Sequence, residues 1–166
     1  MALDIFVSIT GQKQGHIKGG SLIKGREGQI EAFSFSTEIV SPRDPQSGLP
    51  TGKRLHKPIV FTKEIDKSSP LLASVLSTQE NLTEVILRFY EPNIRPGVGA
   101  GQEVQFYTIK LTNANIVSIA MRMGNNKLAE FAKMPVWEEI ALTYQKIEWT
   151  YTDGGITASD DWNAGS

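Results

Sequence analysis

Ile140-Ala141-Leu142-Thr143-Tyr144-Gln145-Lys146-Ile147-Glu148-Trp149-Thr150-Tyr151 is the stretch that decides the fold class. Its large apolar residues recur at every second position, first at Ile140, Leu142 and Tyr144, then at Ile147, Trp149 and Tyr151. Side chains alternate between the two faces of a strand, so a period of two marks β-structure. The first set falls on even positions and the second on odd ones. One face collects both only if the strand changes phase between them, which predicts a β-bulge or sharp bend near Gln145 and Lys146.

Working outward, the same period governs 3–9, where Leu3, Ile5, Val7 and Ile9 oppose Asp4, Phe6 and Ser8. It returns over 30–40, with Phe33, Phe35 and Ile39 against Ala32, Ser34, Ser36 and Glu38. Further alternating segments cover 59–65, 83–90, 104–111 and 116–123. Many short strands rich in β-branched and aromatic residues predict an all-β sandwich or barrel. One segment departs from this. Ser68-Ser69-Pro70 supplies a capping serine and a first-turn proline, and Leu72, Val75 and Leu76 follow at helical spacing, so one helix is expected at about 69–78.

Three stretches are irregular. Residues 11–28 are glycine-rich and cationic, with room for a short hairpin or turn, and 93–102 read as a hairpin tip. Residues 41–57 carry Pro42, Pro45, Pro50, Gly48 and Gly52, and a connection that long is either disordered or functional. No internal repeat or linker divides the chain. A single domain is expected over 1–152, followed by an acidic tail over 153–166.

With 166 residues the chain is long enough to bury a core without staples. Hydrophobic content of 40%, 21% charged residues and a formal charge of −1 are ordinary, and give no pull toward nucleic acid or an acidic membrane. The absence of cysteine excludes disulfides and thiolate metal sites. Residues 1–9 have neither a cationic leader nor a long apolar run, and no segment approaches bilayer length. The expectation is a chain made in the cytoplasm, with no membrane insertion, that leaves only by a route needing no cleaved signal.

The run Asp44-Pro45-Gln46-Ser47-Gly48-Leu49-Pro50-Thr51-Gly52-Lys53-Arg54-Leu55-His56-Lys57-Pro58-Ile59 lies between two strands and is followed by Phe61-Thr62-Lys63-Glu64-Ile65-Asp66-Lys67-Ser68-Ser69-Pro70-Leu71-Leu72. Together with Met1-Ala2-Leu3-Asp4-Ile5-Phe6, Tyr144-Gln145-Lys146-Ile147-Glu148-Trp149 and the late Asp160-Asp161-Trp162, it closely resembles the Hcp family of type VI secretion systems. The resemblance covers essentially the whole chain in order. It implies a compact β-barrel with one helix, similar to a phage tail tube, assembled as a hexameric ring. Rings stack into an inner tube that a contracting sheath propels, with a spike protein of the VgrG kind at its tip, and the tube is itself secreted. It also implies that small effector proteins are held in the lumen, as by a chaperone. Larger relatives fuse a toxin domain at the C-terminus, and none is expected here. One branch of the family has Trp-Ser-Trp where this chain has Phe33-Ser34-Phe35, which makes Ser34 the candidate lumen residue.

Against that background the 41–57 loop reads as a ring-stacking arm. It holds Arg43, Lys53, Arg54 and Lys57 against Asp44, a formal +3, with His56 near its end, and its prolines lower the entropy cost of ordering it on a partner. Asp153, Asp160 and Asp161 give the tail −3, and Trp162 offers an anchor, so Asp160, Asp161 and Trp162 are candidates for docking on a neighbouring surface. The small face of Ala32, Ser34 and Ser36 suits a wall lining a water-filled lumen, although the solvent side of any antiparallel sheet looks the same.

Catalysis finds little support. His16 and His56 are not spaced as a metal pair, and Asp44, Ser47 and His56 make a triad only on paper, on one loop with no oxyanion framework. Glu138 and Glu139 point to opposite faces of a strand, and the glycines at 97–101 precede no phosphate-binding helix. No cofactor, metal or catalytic residue is expected. Three readings remain: a structural tube protein, a monomeric barrel binding a small ligand inside, and a hydrolase on the histidine-bearing loop. An open barrel would leave strand edges that a closed cyclic oligomer covers, which favours the first. That reading also predicts a barrel filled with side chains and a hole between subunits.

Overall fold

The computed structural model describes residues 3–93 and 102–162. The chain runs β1 (Asp4–Gly11), β2 (Gly15–Ile17), β3 (Ile30–Ser36), β4 (Ile39–Val40), β5 (Leu55–His56), β6 (Ile59–Glu64), α1 (Ser69–Thr78), β7 (Leu82–Pro92), β8 (Glu103–Arg122), β9 (Trp137–Tyr151) and β10 (Ile156–Asp161). The main sheet takes the order β10-β9-β6-β3-β1-β7-β8, and β8 pairs back onto β9. Six strands, β9, β6, β3, β1, β7 and β8, thus close into an antiparallel barrel with a single helix. β2 folds back on β1 as the short hairpin for which 11–28 left room.

β9 serves two neighbours on one edge, β6 along residues 137–142 and β10 along 146–151, while β8 lines its whole other edge. The change of face falls where predicted: Leu142 and Tyr144 are buried before it and Ile147 after it. It is made without an inserted residue, which corrects the expected bulge at Gln145 and Lys146. β8 changes face at the same level, from Ile109 and Leu111 to Ala114 and Ile116, so both strands turn together and register is kept. The ladder passes from Thr112–Lys146 to Ala114–Tyr144. Between them Asn113 takes a left-handed conformation (φ 51°), which asparagine tolerates better than most residues, and donates its amide to Gln145 Oε1 at 3.0 Å. The register shift in this pair lies further on, between Ile116 and Ser118 of β8. The two strands expected over 104–111 and 116–123 are one continuous β8.

A second shift, between Ala32 and Ser34 of β3, makes Phe33 the bulged residue. Two expectations change with it. Ala32 joins the core and not the small polar face, and Phe33 is 51% exposed while Phe35 packs inward against Phe89. Beyond the bulge Ser34 and Ser36 point outward, and Ser34 Oγ donates to Thr62 Oγ1 at 2.7 Å.

The barrel interior is solid. Val7, Ile30, Phe61, Leu87, Leu111 and Ile140 are fully buried in one cluster, each contributing roughly 1.5–3 kcal/mol of transfer free energy. Leu72 and Val75 of α1 join that cluster, with Leu76 partly buried beside them. The helix ends differ from expectation at one point. Ser68 stands at the N-cap without a capping side-chain bond, because its Oγ donates to Asp66 Oδ1 instead.

Beside the core sits a charge. Lys63 Nζ is buried and donates to Glu138 Oε1 at 2.6 Å, Ser69 Oγ at 3.0 Å and the Glu64 carbonyl at 2.8 Å, and pairs with Asp66 at 3.0 Å. A buried ammonium is tolerable only with its hydrogen bonds satisfied, and this one ties β6, β9 and the start of α1 together. Burial pushes the Asp66 carboxyl up, but hydrogen bonds from Ser68 and Lys63 outweigh it and hold the group below its ordinary value.

Candidate functional site

Residues 41–57 form an ordered hairpin that stands off the barrel. β4 pairs with β5 at its base, through Ile39–His56 and Val40–Leu55, and Arg43 bridges Pro50 further out. The tip is built by Asp44. Its carboxylate accepts Ser47 Oγ at 2.6 Å and the Gln46 N–H at 3.1 Å, and its carbonyl accepts the Gly48 N–H at 2.8 Å. Gly48 then turns the chain at φ 71°. These hydrogen bonds, led by the one from Ser47, hold the Asp44 carboxyl below its ordinary value.

The base of this arm is locked to the end of the chain. Thr152 to Gly155 make a turn closed by the Gly155 N–H on the Thr152 carbonyl at 3.2 Å, and both glycines are left-handed. β10 follows, so the acidic segment read as a tail contains a further strand of the sheet. Asp160 at its end accepts Arg54 Nε at 2.5 Å and an Arg54 terminal amino group at 2.6 Å. It also lies 2.7 Å from His56 Nε2, while His56 Nδ1 lies 2.8 Å from the Tyr144 hydroxyl. Trp162 tilts against the His56 ring, with centroids 5.4 Å apart, and donates its indole N–H to the Tyr144 carbonyl.

The electrostatics agree with the geometry. Hydrogen bonds from Arg54, and then from His56, hold the Asp160 carboxyl below its ordinary value. Burial, reinforced by the Asp160 carboxylate, pushes the Tyr144 phenol up to about 12, so it stays protonated. Both ring nitrogens of the buried His56 are thus engaged, one by the Tyr144 hydroxyl and the other by the Asp160 carboxylate.

Of the arm's predicted residues, Arg54 and His56 therefore sit at its base against Asp160, and Lys57 pairs with Glu38 at 3.0 Å. Asp44 shapes the tip. Arg43 and Lys53 are exposed and make no ion pair among the described residues. The paper triad is not assembled: Ser47 and Asp44 meet at the tip, whereas the buried His56 is committed to Tyr144 and Asp160. Among the described residues no group of His, Asp or Glu side chains is placed to hold a metal ion.

A family model described as "Type VI secretion system effector, Hcp" matches residues 6–151. The chain belongs to the Hcp family. A Pseudomonas aeruginosa relative named "Major exported protein" is 40% identical, with the match covering 99% of this chain and 98% of that one. Among solved structures, an Hcp protein superposes with a TM-score of 0.89 at 32% identity, covering 99% of this chain and 100% of its own. Hcp1 from the E. coli EAEC 042 pathovar gives 0.84 at 34% identity, with 97% and 99% covered. The secreted protein Hcp3 from Pseudomonas aeruginosa gives 0.75 at 33% identity, with the same coverage. This Hcp chain is thus a secreted protein of the type VI system, from a family of structural and secreted proteins.

Sequence reading missed several residues that shape this Hcp barrel. Lys63 and Glu138 look like ordinary alternating strand charges until β6 and β9 are paired. Arg26, in the glycine-rich stretch, lies 3.6 Å from the centre of the Tyr90 ring and pairs with Glu103 at 2.7 Å. Most of the predicted hairpin tip at 93–102 lies outside the described residues, which stop at 93 and resume at 102.

Proposed function

We propose that this chain forms hexameric rings that stack into the type VI inner tube, and that the 41–57 arm, carrying Arg43, Asp44, Lys53, Arg54, His56 and Lys57, makes the contact between rings. One observation carries the reading: a hairpin is held at its base by buried and bidentate bonds, while residues 45–55 beyond it are exposed. A surface loop without a partner needs no such support, and a preordered arm loses less entropy on docking. The solid barrel adds to it. A monomeric ligand-binding barrel needs an interior cavity, and this interior is filled with aliphatic and aromatic side chains.

The argument from open strand edges becomes narrower, because the barrel is closed. Open edges remain among the described residues on the short β2, β4 and β5 and on the longer β10, whose only strand neighbour is β9, so a lateral contact in the ring has a natural place at β10. In the ring, Ser34 and Ser36 line the lumen and contact small effector proteins, and the tube is capped by a spike of the VgrG kind inside a sheath. Asp160, Asp161 and Trp162, besides fixing the arm, border the surface on which a neighbour docks.

Electron microscopy of the purified chain tests this. Uniform rings with a wide central hole are expected, and replacing residues 43–53 with a short Gly-Ser turn should leave rings but no tubes. A monodisperse monomer would overturn the reading.

A further inference from the structure

Phe33, thrown outward by the β3 bulge, leaves half of a large aromatic ring in water. It borders a cleft of about 240 Å³ whose other walls are Gly20, Ser21, Glu31, Glu64 and Asp66. Asp66 is answered by Lys63 and by the Gly20 N–H, each at 3.0 Å. Glu31 and Glu64 are exposed and make no ion pair among the described residues. Burial, and then repulsion from Asp4, Glu64 and Glu103, raises the Glu31 carboxyl above its ordinary value, so the carboxylates on this face crowd one another. An exposed aromatic ring with an anionic border suits a partner that offers an apolar side chain flanked by cations.

The arm has that composition. Leu49 is 64% exposed near its tip, and Arg43 and Lys53 stand on either side of it in sequence, without ion pairs among the described residues. Arm and cleft also lie at opposite ends of one strand. The arm closes at His56, β6 begins at Ile59, and β6 ends at Glu64, about 17 Å further on at the usual strand rise. Two copies joined arm to cleft bring cations to carboxylates, whereas arm to arm or cleft to cleft sets like charges together. Such a contact uses two different surfaces and leaves one of each unused, so it extends without closing, as a stack of rings must.

We infer that the outer face of β3 and β6 around Phe33, Glu31 and Glu64 receives the arm of a second copy of this chain in the adjacent ring. Leu49 of the arriving arm packs against Phe33, and Arg43 and Lys53 face the two carboxylates. The inference rests on the reading that the arm joins rings, and adds the surface on which it lands.

The test uses the full chain, which has no native cysteine to interfere. Rings of Gln46→Cys mixed with rings of Ile65→Cys under diamide should give a disulfide between copies, since both positions are exposed. Glu31→Lys with Glu64→Lys in the Ile65→Cys chain should lower that yield about tenfold while rings persist, the effect of losing one good charged contact. Arg43→Glu with Lys53→Glu in the Gln46→Cys chain should do the same, and mixing the two reversed chains should restore the yield. Phe33→Ala should lower it with all charges in place. If the arm reversal abolishes tubes in micrographs while the carboxylate reversal and Phe33→Ala do not, or if no disulfide forms, the arm lands elsewhere and only this inference falls. Two reversals that each weaken stacking without rescuing one another would also overturn it. If the arm reversal leaves tubes and disulfide intact, the arm reading falls and this surface with it. Unchanged ring integrity and melting temperature in each variant separate a docking defect from a folding one.

Discussion

Arg54 and Asp160 lie 106 residues apart in sequence and hold each other at two points, Nε to Oδ2 at 2.5 Å and a terminal amino group to Oδ1 at 2.6 Å. A guanidinium makes this fork and an ammonium does not. Arg54→Lys should therefore keep the charge and lose the geometry. Because the pair is partly exposed and screened by solvent, thermal stability should change little. Tube formation should fall while rings persist, and micrographs with normal tubes would show that the Arg54–Asp160 pair plays no part in stacking.

Tyr144→Phe deletes one hydroxyl and leaves His56 Nδ1 buried without its partner at 2.8 Å. The expected cost is about 1–3 kcal/mol, read as a shift in urea midpoint with an unchanged slope. A variant as stable as the parent would mean that water reaches this ring.

Lys63→Met strands the buried Glu138 carboxylate, and removing one partner of a buried pair costs about 3–5 kcal/mol. The double variant Lys63→Met, Glu138→Met should recover part of that loss, since no unpaired charge remains between β6 and β9. Additive losses in the double-mutant cycle would show that the two residues act independently.

Asp4 tests the opposite electrostatic sign. Burial, then its hydrogen bond with Glu103, raises its carboxyl above 3.8, with Arg26 opposing. A raised folded-state value means that the ionised group destabilises the fold, fully above that value and not at all below the ordinary one. Asp4→Asn should therefore raise the melting temperature at pH 7, and the gain should vanish as the pH falls toward about 3.8. A gain independent of pH would place its origin in packing.

The sequence made the barrel's strands legible because period-two alternation follows directly from strand geometry, and the α1 stripe through Leu72 and Val75 was equally plain. The place of the phase change in β9 was also legible, but its mechanism was not. An inserted residue and a paired turn leave the same pattern in one strand, and only β8 beside it, with Asn113 left-handed, tells them apart. Phe33 misled for a related reason, since a one-residue bulge reverses faces locally. β10 escaped notice because Ile156 is its only large aliphatic residue and the strand is largely exposed. At the candidate site the cations and the acidic end were visible as charges. That Arg54 and His56 would meet Asp160 in the same chain depends on β10 folding back along β9, a long-range event no local pattern encodes.

The partners of His56 lie 88 and 104 residues downstream, at Tyr144 and Asp160. During synthesis the N-terminal portion emerges first, so the arm exists for most of that time without the groups that fix its base. Only when β10 has been made and has paired with β9 do Asp160 and Trp162 arrive. A polypeptide cut short before Asp160 would keep the β4–β5 pairing and the His56–Tyr144 contact but lose the Arg54 fork and the Trp162 packing. On the proposed stacking role of the arm, order of appearance would then act as quality control, keeping copies without Asp160 and Trp162 out of a growing tube.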